Sequence, residues 1–139
     1  MRRHAYEGPR RPAAELATVF ARWDGAGSEQ TYICRVDGRQ FRQPGEDNPC
    51  PSVVYVTPGP HVFEVEHRMG FRYGTYLLTF NTRAGSTYEV KSSVYDEKYA
   101  RYVWREMPPG YVLTYKDAAP AHFAKGERPN RPVSPDDPD

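Results

Sequence analysis

The sequence predicts an all-β protein: a small antiparallel β-sandwich of about seven or eight strands with disordered arms at both ends. Three observations lead there. Gly 11 and Pro 14 together make about 18% of the 139 residues, above the ~12% of an average chain. The aromatic share is 14%, with Tyr 11 the largest part, and tyrosine suits a pleated, half-buried surface. Turn signals recur every 8–15 residues between short alternating runs, the spacing of a sandwich. Intervals that short leave no room for crossover helices, which excludes a parallel α/β sheet.

Each element follows from its residues. Residues 1–12 read as an extended arm, because Gly8-Pro9 and Arg11-Pro12 disfavour helix. Pro12-Ala13-Ala14-Glu15 can open one short helical turn, with Pro at its first position. Residues 16–23 alternate, with Ala17, Val19, Ala21 and Trp23 on one face and Leu16, Thr18, Phe20 and Arg22 on the other, which is a strand pattern. Asp24-Gly25-Ala26-Gly27-Ser28 is a turn cluster. A second strand spans 31–37 with Tyr32, Cys34 and Val36 on one face, and Asp37-Gly38 closes it as a turn.

Residues 53–56 form a short apolar run, expected as a buried strand, and Thr57-Pro58-Gly59-Pro60 ends it. Residues 61–67 place Phe63 and Val65 opposite Glu64 and Glu66, and 68–73 read as a loop or hairpin tip. Residues 74–83 place Tyr76, Leu78 and Phe80 opposite Thr75, Thr79 and Asn81. After Ala84-Gly85-Ser86, residues 87–94 turn Tyr88, Val90 and Val94 inward and Glu89 and Lys91 outward. These two runs are expected to pair as a β-hairpin. Residues 97–106 fit a strand or a short helix, with strand favoured, and Pro108-Pro109-Gly110 breaks it. Residues 111–116 alternate again, with Tyr111, Leu113 and Tyr115 together. The segment 118–139 has five prolines and no periodicity, the pattern of a disordered tail. The sandwich domain is therefore expected over 13–117.

The formal net charge is +1. That balance excludes a generally basic nucleic-acid binder and a highly charged disordered chain. No run of 18 apolar residues is present, so no helical membrane span is expected. Arg2, Arg3, Arg10 and Arg11 against Glu7 make the first twelve residues basic. Such an arm can attract anionic lipid headgroups; its plainer reading is a solvated terminus.

Cys34 and Cys50 enclose a loop that holds Gly38, Pro44, Gly45, Asn48 and Pro49. A loop so rich in breakers has little structure of its own, and a disulfide there would stabilise by roughly 3 kcal/mol. A bridge implies an extracytoplasmic home; the alternative is two reduced cysteines, one buried and one on a loop. Zinc is not expected, since two ligands are too few and no histidine is near in sequence. His61 and His67 share a strand face about 20 Å apart, too far for one metal, and His4 and His122 lie in the arm and the tail. His61 reads as a turn histidine bonded to backbone near Gly59. No cofactor is expected.

No Gly-x-Ser-x-Gly elbow, His-Glu-x-x-His or phosphate loop occurs. Glu64 and Glu66 read as solubilising, with nothing to bury either and shift its pKa. The protein is therefore expected not to be an enzyme. The aromatics carry more. Tyr95, Tyr99, Tyr102, Trp104, Tyr111 and Tyr115 crowd the last third, interleaved with Arg101 and Arg105. Tyr, Trp and Arg are the types enriched at interface hot spots. The candidate binding residues are Tyr99, Arg101, Tyr102, Trp104, Arg105 and Tyr111. The same residues also suit a core wall with cross-strand stacking or stacking on sugars. Nucleic-acid stacking would need a basic groove, which this balanced region lacks.

Tyr6-x-Gly8-Pro9-x-x-Pro12-x-x-Glu15-x-Ala17 resembles the start of mature small lipoproteins of the Gram-negative envelope, in which a lipidated Cys lies a few residues earlier. Val36-Asp37-Gly38, Pro58-Gly59-Pro60-His61 and Ala84-Gly85-Ser86-Thr87-Tyr88 are similar, in that order, to PEGA-like β-sandwich modules. The resemblance spans residues 6 to about 95. No Cys precedes Tyr6, and Met1-Arg2-Arg3-His4-Ala5 begins no apolar export segment; the chain is either cytosolic or trimmed of its signal. The Cys34–Cys50 loop is also a longer insertion than the pattern carries. The resemblance implies a periplasmic domain, anchored in the outer membrane by a lipid absent from this chain and lifted off it by the Pro-rich arm. The expected function is a non-enzymatic adaptor that docks on an envelope protein partner. The alternative is a module that binds envelope glycan or peptidoglycan.

Overall fold

A computed structural model describes residues 2–22, 29–40, 50–69, 72–94, 100–114, 117 and 130–136. The turn cluster at 24–28, Trp23, most of the Cys34–Cys50 loop, Tyr95, Tyr99, Tyr115 and residues 118–129 lie outside these residues. The described residues form nine strands: β1 (Arg2–His4), β2 (Ala17–Ala21), β3 (Glu29–Val36), β4 (Arg39–Gln40), β5 (Val53–Val56), β6 (Gly59–Met69), β7 (Arg72–Thr82), β8 (Thr87–Val94) and β9 (Ala100–Glu106). A 3-10 turn at Ala13–Glu15 follows Pro12. The strands make two sheets, ordered β1-β5-β2-β8-β9 and β4-β3-β6-β7. The architecture is a small all-β sandwich, as the alternating runs predict. No helix among the described residues is long and apolar enough to cross a membrane.

The inner faces close one core. Ala17, Val19, Ala21, Val54, Val56, Tyr88 and Val90 meet Ile33, Val36, Phe63, Val65 and Phe80. Phe80 bridges the layers, stacked on Phe63 at 4.7 Å and tilted against Tyr88 at 5.4 Å. Full burial of such side chains stabilises by roughly 1.5–3 kcal/mol each.

A second core lies on the outer face of the five-stranded sheet. Leu16, Phe20, Val53 and Tyr55 project there and are covered by Met107 and Leu113, with Tyr6, Tyr111 and Val133 at the margin. This is why 53–56 is apolar at every position: all four residues are buried, two on each face. The cover is the segment 107–114, which is not the strand expected at 111–116. It makes a turn, with the Tyr111 amide donating to the Pro108 carbonyl at 3.0 Å, and then one isolated bridge between Thr114 and Pro132. The expected alternation survives, with Leu113 buried and Val112 58% exposed.

Both chain ends join this face. β1 runs parallel to β5, pairing Arg2 with Val53 and His4 with Tyr55, and the Ala5 amide donates to the Tyr55 carbonyl at 2.8 Å. The start of the expected arm is thus a sheet strand, because β5 would otherwise be an unpaired apolar edge. Beyond 117, the Val133 amide donates to the Leu113 carbonyl at 2.8 Å and its side chain packs on the outer core. Residues 130–136 therefore extend the fold past the boundary expected at 117.

Three further differences separate the structure from the expectation. The antiparallel expectation meets a mixed sheet, since β2 pairs in parallel with β8, Thr18 opposite Thr87 and Ala21 opposite Val90. The hairpin expected between 74–83 and 87–94 does not form: β7 pairs with β6, and β8 pairs with β2 and β9. The turn at 83–86 instead carries the chain from one sheet to the other. Its backbone bonds to β2, with the Gly85 amide donating to Leu16 and the Thr18 amide donating to Ser86. Gly85 sits at φ 79°, where a side chain is disfavoured. The hairpin is formed by β6 and β7, whose pairing runs on to Met69 and Arg72, inside the loop or tip expected at 68–73.

The third difference arises from a β-bulge. Ile33 pairs with Val65 and Arg35 with Glu64, so Cys34 is the extra residue. Ile33 and Val36 face the core while Cys34 leaves the alternation, so Cys34 and Val36 do not share a face as expected. The bulge aims Cys34 at Cys50, and the two form a disulfide with Cα atoms 4.7 Å apart. The Ile33 amide donates to Pro51 and the Ala21 amide to Ser52, so the bridge ties β3 in one sheet to the start of β5 in the other.

Phe63→Ala should therefore destabilise by about 3–5 kcal/mol in chemical denaturation. Leu77→Ala, at a position 68% exposed on the outer face of β7, should stay within about 0.5 kcal/mol.

Candidate functional site

The six candidate binding residues do not form one surface. Tyr99 lies outside the described residues, and Arg101 and Tyr102 are placed only by register, opposite Ser93 and Ser92. Trp104 faces the other sheet, stacked on Phe80 at 4.3 Å and 13°, with Tyr88 at 6.2 Å. It is nonetheless 42% exposed, because β9 ends its sheet. Among the described residues β9 pairs with β8 alone, which leaves the other side of its backbone without a described ladder partner. Val103, on the opposite face, is 50% exposed.

Arg105 and Tyr111 belong to the outer face. Glu89 projects outward there as expected, but it is buried rather than solvated. Its carboxylate accepts from Arg22 Nε and, at 3.1 Å, from Arg105 Nε. Arg22 also donates to Tyr111 Oη at 3.2 Å and to Asp117 Oδ1 at 3.3 Å, and Tyr111 Oη donates to Asp117 Oδ2 at 3.2 Å. The Tyr111 ring lies nearly parallel to Phe20 at 6.1 Å. Burial works against the Arg22 charge, but the hydrogen bonds with Glu89 and Tyr111 outweigh it and raise its pKa. Burial raises the Tyr111 pKa, with neighbouring Asp117 acting in the same direction. This network pins the covering segment to the sheet. Arg105 and Tyr111 are therefore structural groups whose outer atoms reach solvent.

An open cleft of about 640 Å³ lies beside Tyr111, between Arg83–Thr87 and Glu106–Gly110. Arg83 and Glu106 form a forked pair on its rim, with Nη2 to both carboxylate oxygens at 2.5 and 2.6 Å. Hydrogen bonding in this pair raises the Arg83 pKa and lowers that of Glu106. Arg83 is exposed and Glu106 only half-buried, so the pair orients more than it stabilises.

The second polar site surrounds His61, which is 8% exposed. Nε2 lies 2.6 Å from the Thr57 carbonyl, and Nδ1 lies 2.5 Å from Asp37 Oδ2. A carbonyl only accepts, so Nε2 is the donor there. His61 thus bonds to backbone near Gly59, as its position in the turn suggests. Both ring nitrogens are engaged, which leaves neither to draw a proton from a nucleophile. Asp37 Oδ1 also accepts from the Val62 amide at 2.8 Å. Burial acts to raise the Asp37 pKa, but the bonds from His61 and Val62 prevail and hold it below the ordinary carboxylate value. Asp37 and Gly38 both adopt positive φ, 52° and 83°, as the tight β3–β4 turn requires.

Compared with protein-family models, curated proteins and solved structures, the chain matches none.

Sequence reading missed Arg22, Asp117 and the burial of Glu89. The available signal was an acidic residue between Tyr88 and Val90 in a sheet whose strand 53–56, two places away, is apolar on both faces.

Glu89→Gln should lower stability by roughly 1–3 kcal/mol, below the ~3–5 of a fully enclosed pair because both arginines reach water; urea unfolding measures it. Asp37 has a depressed folded pKa, so its stabilisation is complete above the unfolded carboxyl pKa near ~3.9 and is lost as pH falls through the folded value. Asp37→Asn keeps a residue that tolerates positive φ and should flatten that acid limb in thermal unfolding scans.

Proposed function

We propose that this domain is a non-enzymatic adaptor of the bacterial envelope that docks on a protein partner through the β9 edge. The observation that carries it is Trp104: a large ring stacked on Phe80, 42% exposed, on a strand that pairs on one side only among the described residues. A preorganised aromatic loses little entropy on binding, and an open strand edge offers main-chain hydrogen bonds to an extended segment. Val103 and Arg105 extend the contact on the other face of the strand.

The envelope setting is supported by the Cys34–Cys50 disulfide, since such bridges persist in oxidising compartments, and by the lipoprotein-like start. In this reading the anchor precedes Arg2. Because β1 is part of the sheet, residues 2–4 belong to the domain and do not act as a spacer.

The test is in vivo crosslinking and capture from the native host, with Val103→Lys and a Tyr102→Ala/Trp104→Ala double variant. We expect one envelope protein to be captured by the wild type and lost in Val103→Lys, whose thermal unfolding is unchanged. Capture that survives both variants removes the β9 edge as the docking surface. If the double variant melts, those two side chains are core. A saturable shift of tryptophan fluorescence with glycan fragments, without protein capture, moves the assignment to carbohydrate binding.

A further inference from the structure

Glu66 comes to an unexpected place. It stands on β6 opposite Tyr32, and its Oε2 lies 3.2 Å from Cys34 Sγ. A disulfide sulfur has no hydrogen to donate, so this approach is not a hydrogen bond in the oxidised protein. The two sulfurs and the Glu66 carboxylate lie within 4.8 Å of one another, with both cysteines buried and Glu66 half-buried. The trio lines a small cleft of about 150 Å³ together with Arg35, Gln40, Glu64 and Thr75. Two cysteines alone are too few for zinc, but the β3 bulge and the β3–β6 register supply a third donor that sequence spacing does not reveal.

The geometry points to a divalent-metal site of the Zn²⁺ type in the reduced chain, formed by Cys34, Cys50 and Glu66, with the fourth position open to water in the cleft. In a tetrahedral zinc site, bond lengths of ~2.3 Å to sulfur and ~2.0–2.2 Å to oxygen place neighbouring donors roughly 3.6–3.8 Å apart. The Glu66–Cys34 approach is already near that value, so the main change is separation of the two sulfurs once their bond is gone. Two thiolates and one carboxylate carry three negative charges against the two of the ion. Arg35 on the cleft wall is already paired with Glu64 Oε2 at 3.0 Å, so that pair adds no net charge and the loaded site carries one net negative charge. Thiolates favour zinc over the harder cations that take oxygen alone.

Metal and bridge therefore compete for the same sulfurs. A dithiol reductant transfers two electrons and two protons to the bridge, giving two Cys thiols and an oxidised, disulfide-linked reductant. Metal binding then releases the two thiol protons to solvent. In the reverse direction a small-molecule disulfide takes two electrons from the thiolates and two protons from solvent to become two thiols, the Cys34–Cys50 bond re-forms, and the ion leaves. This site is independent of the docking surface on β9.

The test uses the full chain, oxidised or reduced with a dithiol that is then removed without air, and titrated with Co²⁺ followed by Zn²⁺. We expect the reduced protein to bind a single Co²⁺ with a thiolate charge-transfer band and tetrahedral d–d bands, displaced by Zn²⁺, and the oxidised protein to show neither. Glu66→Gln should bind roughly tenfold more weakly or worse, and Cys34→Ser, which keeps the Cys50 thiolate, should lose about half of the charge-transfer intensity. The same titration in denaturant gives the affinity of an unstructured dithiol. The proposal is overturned if the reduced native chain binds no tighter than that, if Glu66→Gln binds as the wild type does, or if circular dichroism shows the reduced chain to be unfolded with metal present.

Discussion

The constraint on which the molecule depends is the double burial of β2 and β5. A sandwich sheet ordinarily turns one face to solvent, but Phe20, Val53 and Tyr55 project from the outer face of this one. They require a second cover, and the covering pieces come from Tyr6, from the segment holding Met107, Tyr111 and Leu113, and from Val133. Glu89 is enclosed by the same cover, and a buried carboxylate needs charged partners. Arg22, Arg105 and Asp117 then read as the polar side of one packing problem.

The alternating runs made the inner core legible: Val19, Phe63, Val65, Phe80, Tyr88 and Val90 all face the interior as their spacing predicts. The uninterrupted run at 53–56 also foretold a buried strand, which the structure buries on both faces. Pairing was less legible, because alternation is the same whether 74–83 and 87–94 share a sheet or face each other across two. Phe80 and Tyr88 touch across the sandwich. A bulge is similarly silent in sequence, since one extra residue at Cys34 changes no composition and reverses only local facing.

The candidate site was legible in kind but not in place. Tyrosine, tryptophan and arginine in the last third suggest an interface, yet the same residue types close cores and pin covering segments. Tyr111 stacks on Phe20, Arg105 holds Glu89, and Trp104 does both kinds of work, half in the core and half in solvent. Only tertiary position separates these roles. The convergence of Glu66 on the disulfide has the same character, since residues 34, 50 and 66 meet through strand register rather than through a motif.

The parallel pairing of β2 with β8 orders how the chain can assemble. Thr18 must find Thr87, more than half the sandwich later in sequence, whereas β6 and β7 join through a tight tip between Met69 and Arg72. Loop-closure entropy rises with separation, and distant pairings fold slowly. The four-stranded sheet is thus built mainly from near neighbours and can template its partner. The five-stranded sheet must wait until β8 has been synthesised, and Phe20, Val53 and Tyr55 stand uncovered to any chaperone or neighbouring chain until the segment with Met107 and Leu113 follows.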